Sequence, residues 1–313
     1  MLNLSYKSKL ILALGLVYVI WGSTYLGVKL ALHVFPPLLL TAVRFVLGGG
    51  ILFAFTWMRG HGLPSRAQFL GASKLGILLS GFGTGAVAYG VNYVPSGIVA
   101  LLVATLPVWT FLLDYIFFSH SKPSNLTFIG MFLGVVGMVF LLNPQQAGQS
   151  SLPLGPTFIV FLGSISWAYG SLISFSTPQP GALQSTALQM LAGGIFALFL
   201  SYWIESPWIE AFRRLDTQAV GAMLYLIGIG SYVGYTAYIW LINHAPPLLT
   251  STYAYVNPVV ALFLGWALAH ERLTPQTWIA SGLILLGVLC MTLGKKIVRK
   301  SSSTSSHGTS DPL

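Results

Sequence analysis

The sequence predicts an all-α integral membrane protein of ten transmembrane helices, arranged as two inverted-topology five-helix repeats. Three observations predict it. Of the 313 residues, 55% are hydrophobic and only 7% charged, with a mean hydropathy of +0.78; this excludes a water-soluble globular enzyme. Apolar runs of about 20 residues, enough to cross a hydrocarbon layer roughly 30 Å thick, recur along the chain between short loops. The two halves of the chain also repeat one another.

Runs bounded by Pro, Gly, Asn or charge place the spans at residues 10–32, 37–58, 71–92, 95–118, 126–142, 154–175, 182–203, 218–242, 246–269 and 275–294. The first follows Lys7 and Lys9 as a signal peptide would. Its length of about 23 residues exceeds the roughly 7–15 of a signal core, so it is kept as a span. Residues 1–9 form a short N-terminal segment, 10–142 the first repeat, 143–153 a connecting loop and 154–294 the second repeat. The Ser- and Thr-rich tail within 295–313 has nothing apolar to pack and is expected to be disordered.

Charge sets the orientation. With both termini on one side, that side holds Lys7, Lys9, Arg59, Arg66, Lys74, Lys122, Lys295, Lys296, Arg299 and Lys300, while the other holds Arg213, Arg214 and Arg272. The excess puts both termini in the cytoplasm of a multi-pass protein of the cell membrane. The formal charge of +9 is thus explained by the lipid bilayer, and no continuous basic stripe marks a nucleic-acid partner. A single cysteine, Cys290, and six scattered histidines argue against disulfides, a metal site or a bound cofactor. Oligomeric state is not legible.

The repeat is read at two offsets. Shifted by 151, Ser80, Gly83, Ala86, Asn92, Pro95, Pro107, Val108 and Leu113 meet identical residues from Ser231 to Leu264; shifted by 145, Leu38, Thr41, Ala42, Gly48 and Gly49 meet Leu183, Thr186, Ala187, Gly193 and Gly194. Trp21 recurs as Trp167. Five spans is an odd number, so the second copy enters the membrane upside down, a plan common among secondary transporters that rock about a midplane site.

The motifs Trp21-Gly22-Ser23-Thr24-Tyr25, Arg44-Phe45, Val94-Pro95-Ser96-Gly97, Ser166-Trp167-Ala168, Tyr253-Ala254-Tyr255-Val256-Asn257-Pro258 and Glu271-Arg272-Leu273, in this order, resemble the EamA-type transporters of the drug/metabolite transporter superfamily over about residues 10–294. The resemblance implies ten helices, inner-membrane residence and export of small metabolites, amino acids or drugs. The chain departs from symmetry at Glu271-Arg272, where the first half has His120-Ser121.

Candidate residues follow from span positions. Pro107 and Pro258 occupy matched mid-span positions, where each removes a backbone donor; they are read as helix kinks or gates. Trp21, Thr24 and Tyr25 share a face of span one, Tyr253 and Asn257 one of span nine, and Tyr235 and Tyr238 lie on span eight. Aromatic faces with polar tips suit a small amphipathic metabolite. Tyr89, Trp109 and Trp167 complete the expected aromatic contacts. Arg44, about seven residues inside span two, either meets a carboxylate or phosphate or ties up helix-end carbonyls; Gln189 replaces it in the second half. Asp114, near one end of span four, reads as a partner of Lys122 or a weak proton relay.

The function these features predict is a non-enzymatic inner-membrane secondary transporter, exporting small metabolites by alternating access. The alternatives are an importer or channel-like facilitator and, more remotely, an intramembrane hydrolase built on Ser231. The latter needs a midplane His base, and every His lies near a span end.

Overall fold

In a computed structural model of the chain, the described residues are 5–118, 124–142, 153–174, 176–205, 207–245, 253–271 and 273–304. They are helical, with no strand among them. In chain order the helices are α1 (Tyr6–Ala31), α2 (Pro37–Met58), α3 (Arg66–Gly76), a π-helical segment (Ile77–Gly83) running into α4 (Thr84–Tyr93), α5 (Ser96–Val103), α6 (Leu106–Phe117), α7 (Asn125–Leu142), α8 (Leu154–Ser174), α9 (Ala182–Ile204), the short α10 (Ile209–Arg213), α11 (Thr217–Tyr225), a second π-helical segment (Leu226–Val233) running into α12 (Gly234–His244), α13 (Tyr253–Ala269) and α14 (Pro275–Thr304). Among the described residues, seven helical stretches are long and apolar enough to cross a membrane.

The sequence punctuates these helices by recognisable chemistry. Ser5 caps α1 by accepting from the Ser8 amide, and Ser65 with Gln68 closes a capping box on α3. Pro37 opens α2, where a missing N–H costs nothing. Gly60, at φ +83°, lets the chain turn out of α2.

Four features depart from the expected spans. Spans three and eight are each widened by a π segment, which periodicity alone does not reveal. Span four is interrupted at Ala104 and Thr105, where the Thr105 amide donates to Leu102 three residues back. Pro107 has no N–H to offer the Val103 carbonyl, so the ladder loses a rung there. Pro258, its sequence counterpart, lies inside the uninterrupted α13. Finally, α14 runs to Thr304, ten residues beyond the expected end of the last span; extending an existing helix needs no new nucleus. Residues 305–313 of the expected tail lie outside the described residues.

The chain divides into two compact units, Met1–Leu106 with Leu152–Arg272, and Pro107–Ser151 with Leu273–Leu313, each drawing on both halves of the sequence. In the first unit α2 and α9 cross at glycines. A Cβ on Gly49 would stand 2.8 Å from the Ala187 carbonyl oxygen, and one on Gly194 2.8 Å from the Val46 nitrogen. In lipid no hydrophobic force separates one apolar surface from another, so close backbone approach through small residues supplies the packing. The opposite face of α2 carries Leu47, Ile51 and Phe55, four residues apart and exposed, as a lipid-facing stripe should be. In the second unit α7 and α14 meet in the same way: Gly137 faces Leu283 and Ile284, and Gly287 lies against the backbone of Gly130 and Gly134.

Candidate functional site

Three of the expected aromatics come together in the first unit. Trp21 of α1, Tyr238 of α12 and Tyr253 of α13 form a triangle with ring centroids 5.0 Å (Trp21 to Tyr238), 5.2 Å (Trp21 to Tyr253) and 5.7 Å (Tyr238 to Tyr253) apart. Two of the three pairs are edge-to-face, which sets the positive rim of one ring on the negative face of the next. The trio packs against the buried apolar strip of Ala13, Val17, Ala237 and Leu241. Small residues allow this convergence: a Cβ on Gly22 would stand 2.6 Å from the Val260 Cβ, and one on Gly234 2.6 Å from the Trp21 Nε1.

A polar group lies about one helical turn along the same chain segment, at Gly230. The Arg44 guanidinium, from the N-terminal half of α2, donates through Nε and Nη2 to the Ser231 hydroxyl at 3.3 and 3.2 Å. Ser231 in turn donates to the Leu226 carbonyl, five residues back, at 3.0 Å; the wide π turn brings residue 231 over residue 226. A Cβ on Gly230 would stand 3.1 Å from the Thr24 methyl and 3.6 Å from Arg44 Nη2. Thr24 donates to the Trp21 carbonyl, and Ser23 shares a short hydrogen bond with the Tyr225 hydroxyl. Arg44 is half-buried, lies over the Phe45 ring and forms no ion pair with a carboxylate among the described residues. On insertion scales a cation at mid-membrane depth costs about 2.5–3.5 kcal/mol, so it needs a protein or water neighbour. In this structure the hydrogen-bond partner of Arg44 is a hydroxyl, where the sequence offered a solute anion or helix-end carbonyls.

Of the other expected residues, Tyr25 and Asn257 stay beside the triangle, while Trp167 and Tyr89 lie apart from it. Trp167 packs over Gly83, whose Cβ would stand 3.0 Å from the indole Cε3. Tyr89 pairs with the exposed Tyr93, centroids 5.0 Å apart. Tyr25, on α1 one residue beyond Thr24, is half-buried and lies within electrostatic reach of the Tyr253 hydroxyl. With its nitrogen turned toward acceptors, the Asn257 amide donates to the Tyr253 and Tyr18 carbonyls at 3.2 and 3.3 Å, which ties α13 to α1. Trp109 and Asp114 belong to the second unit. The side chains of Tyr235 and Pro107, and Lys122 as the expected partner of Asp114, lie outside the described residues.

Ionic ties that the sequence reading missed join the helix ends of the first unit. Glu205, following α9, accepts from the Leu38 and Leu39 amides with one oxygen each, both at 2.9 Å. Glu271, following α13, accepts from the Ser96 amide at 2.8 Å and the Gly97 amide at 3.4 Å. Each carboxylate therefore covers the unpaired donors at the start of a different helix, where the helix dipole also favours negative charge. His33, after α1, meets Asp216 at 2.7 Å, and Asp216 also caps α11 through the Ala219 amide. The hydrogen bond to Asp216 raises the His33 pKa, while the Ala219 amide and then His33 lower that of Asp216. The sequence signal available was a lone acid one or two residues beyond an apolar run.

Among the described residues no base accepts the Ser231 proton. Its hydroxyl proton goes to a carbonyl and its other recorded partner is a guanidinium, which cannot accept a proton.

Comparison with known proteins agrees with a transport role. The sequence matches the EamA-like transporter family over residues 8–143 and 155–293. It is 38% identical over 285 residues, 90% of each chain, to an uncharacterized inner membrane transporter of Escherichia coli, YedA. It is 25% identical over 287 residues, 91% of this chain and 97% of the relative, to the uncharacterized transporter YoaV of Bacillus subtilis. A probable amino-acid metabolite efflux pump of Escherichia coli is 26% identical over 297 residues, covering 89% of this chain and 93% of its own. A solved crystal structure superposes with a TM-score of 0.62 at 20% identity, over 94% of this chain and 99% of that one, and shows the shared fold. A multi-pass helical membrane protein, this chain belongs to the EamA-like transporter family.

Proposed function

We propose that this protein is an inner-membrane secondary transporter that exports small amphipathic metabolites, amino acids or related compounds, by alternating access. In this reading ten spans form two inverted five-span repeats with both termini in the cytoplasm. The observation that carries it is a reciprocal packing: Trp21 of the first half lies on Gly234 of the second, while Trp167 of the second half lies on Gly83 of the first. The two tryptophans are counterparts in the repeat, as are the two glycines, each of which follows or ends a π segment. Such an exchange supports two similar bundles interlocked about one pseudo-symmetric centre, the arrangement from which alternate opening follows.

The substrate reading is supported by the meeting of an aromatic triangle with a polar seat one turn away. The three ionic ties lie, on the proposed topology, on the external face, where they hold helix ends together.

The test is a mass-spectrometric profile of the medium from cells overproducing the native chain, beside cells making the Trp21→Ala and Tyr253→Ala variants at matched membrane levels. Export predicts compounds enriched outside with the native chain and less so with either variant. No enrichment by the native chain removes the exporter reading in favour of import or facilitation.

A further inference from the structure

We propose that Arg44 and Ser231 form an anion seat, so that the solutes carried are those bearing a carboxylate or an equivalent oxyanion on an apolar body. The inference rests on the transporter reading above and names the substrate class of that site.

The chemistry of the donors favours an anion. Arg44 presents five N–H groups in a planar fork. The recorded bonds direct only Nε and Nη2 to Ser231, and both go to the same hydroxyl oxygen. That oxygen's own proton is committed to the Leu226 carbonyl, so Ser231 steadies the guanidinium without neutralising it. No carboxylate among the described residues pairs with the charge. A positive charge at this depth is kept at a cost, and a transported carboxylate offers the bidentate geometry and the opposite charge that the surrounding hydroxyls do not.

The backbone is shaped for the same purpose. Gly230 stands beside Thr24 and Arg44, where a Cβ would press on the Thr24 methyl at 3.1 Å and touch Arg44 Nη2 at 3.6 Å, and the π turn places Ser231 beneath the guanidinium. One turn further, Gly234 seats the Trp21 indole and with it the aromatic triangle. A solute whose anionic group and apolar body lie about 5–6 Å apart would span the two. The second half of the duplicated chain has no guanidinium at the matched position. The counterpart of Arg44, Gln189, instead donates to Gln179 and Ser185 near the start of its own helix. The anion therefore binds off the pseudo-symmetry axis.

The experiment compares medium profiles from cells making the native chain, Arg44→Lys and Arg44→Gln at matched membrane levels. The seat predicts that the enriched compounds carry a carboxylate or other oxyanion, that Arg44→Gln lowers their enrichment at least tenfold, and that Arg44→Lys, which keeps the charge but loses the fork, lowers it severalfold. Enriched compounds that carry no carboxylate or other oxyanion, or that Arg44→Gln leaves undiminished, overturn the seat while the exporter reading stands. If Arg44→Gln does not reach the membrane, Arg44→Lys decides, and an unchanged profile there overturns the seat. If the native chain enriches nothing, the exporter reading fails, and the seat is judged on purified native and Arg44→Lys protein titrated with sodium acetate against sodium chloride. A rise in unfolding temperature specific to acetate and weakened by Arg44→Lys supports it; no such rise, or an equal one with chloride, overturns it.

Discussion

Trp21 rests on Gly234: its indole nitrogen occupies space within 2.6 Å of where a Cβ would stand, so the first turn of α12 accepts the ring only because that residue is glycine. Gly234→Ala must shift either the ring or the helix. Overpacking of this kind costs about 1–3 kcal/mol, partly offset by the roughly 0.5–1 kcal/mol that alanine gains over glycine in a helix. The unfolding midpoint in detergent should fall by a few degrees. Gly83→Ala, where the nearest Trp167 atom is 3.0 Å away, should fall less.

The Glu205 carboxylate covers the two leading amides of α2. Glu205→Gln keeps one acceptor but loses the charge and is expected to cost about 1–2 kcal/mol. Hydrogen exchange at the Leu38 and Leu39 amides should accelerate about tenfold and remain unchanged at Ser96 and Gly97. Glu271→Gln should reverse that pattern. Equal acceleration at both helix starts would refute two independent caps.

His33 and Asp216 form an exposed pair whose contribution depends on pH. The folded His33 pKa lies above its ordinary value of 6.5, so its share is fully present below that value and is lost as pH rises through the raised pKa. The Asp216 pKa lies below 3.8, so its share is present above 3.8 and is lost as pH falls through the lowered pKa. The tie is therefore strongest between the two ordinary values. Exchange protection of the Val34 and Phe35 amides, which donate to Ala31, should decline as the medium is made alkaline, and His33→Gln should flatten that decline.

The α2–α9 crossing leaves no room at Gly49, where three α9 atoms lie within 3.0 Å of a Cβ. Two of these are backbone atoms and cannot turn aside, so Gly49→Leu should force the helices apart. The expected result is little or no monodisperse protein after extraction. Gly50→Leu, with open space at its Cβ, serves as the control and should be recovered at native levels.

If the prolines at matched positions serve alternation, Pro107→Ala with Pro258→Ala should slow flux while membrane levels hold. Unchanged flux in the double variant would remove any role for them in movement.

Much of this protein was determined by its sequence. Length, apolar runs and end signals such as Ser65, Pro37 and Gly60 specify helices and most of their limits, because those depend on contacts within a few residues. The EamA character was likewise legible in Trp21-Gly22-Ser23-Thr24-Tyr25 and Glu271-Arg272-Leu273. Only the tertiary structure decided which aromatics meet. Trp21, Tyr238 and Tyr253 converge while Trp167 and Tyr89 do not, because convergence depends on how closely Gly22 and Gly234 let three distant helices approach. The partner of Arg44 was hidden for a related reason. A π turn widens the helix locally, and that widening carries Ser231 over Leu226 to the guanidinium, a displacement that no regular helical spacing contains. The glutamate caps were hidden because Glu205 and Leu38 lie 167 positions apart, and only folding makes a loop acid the end of another helix.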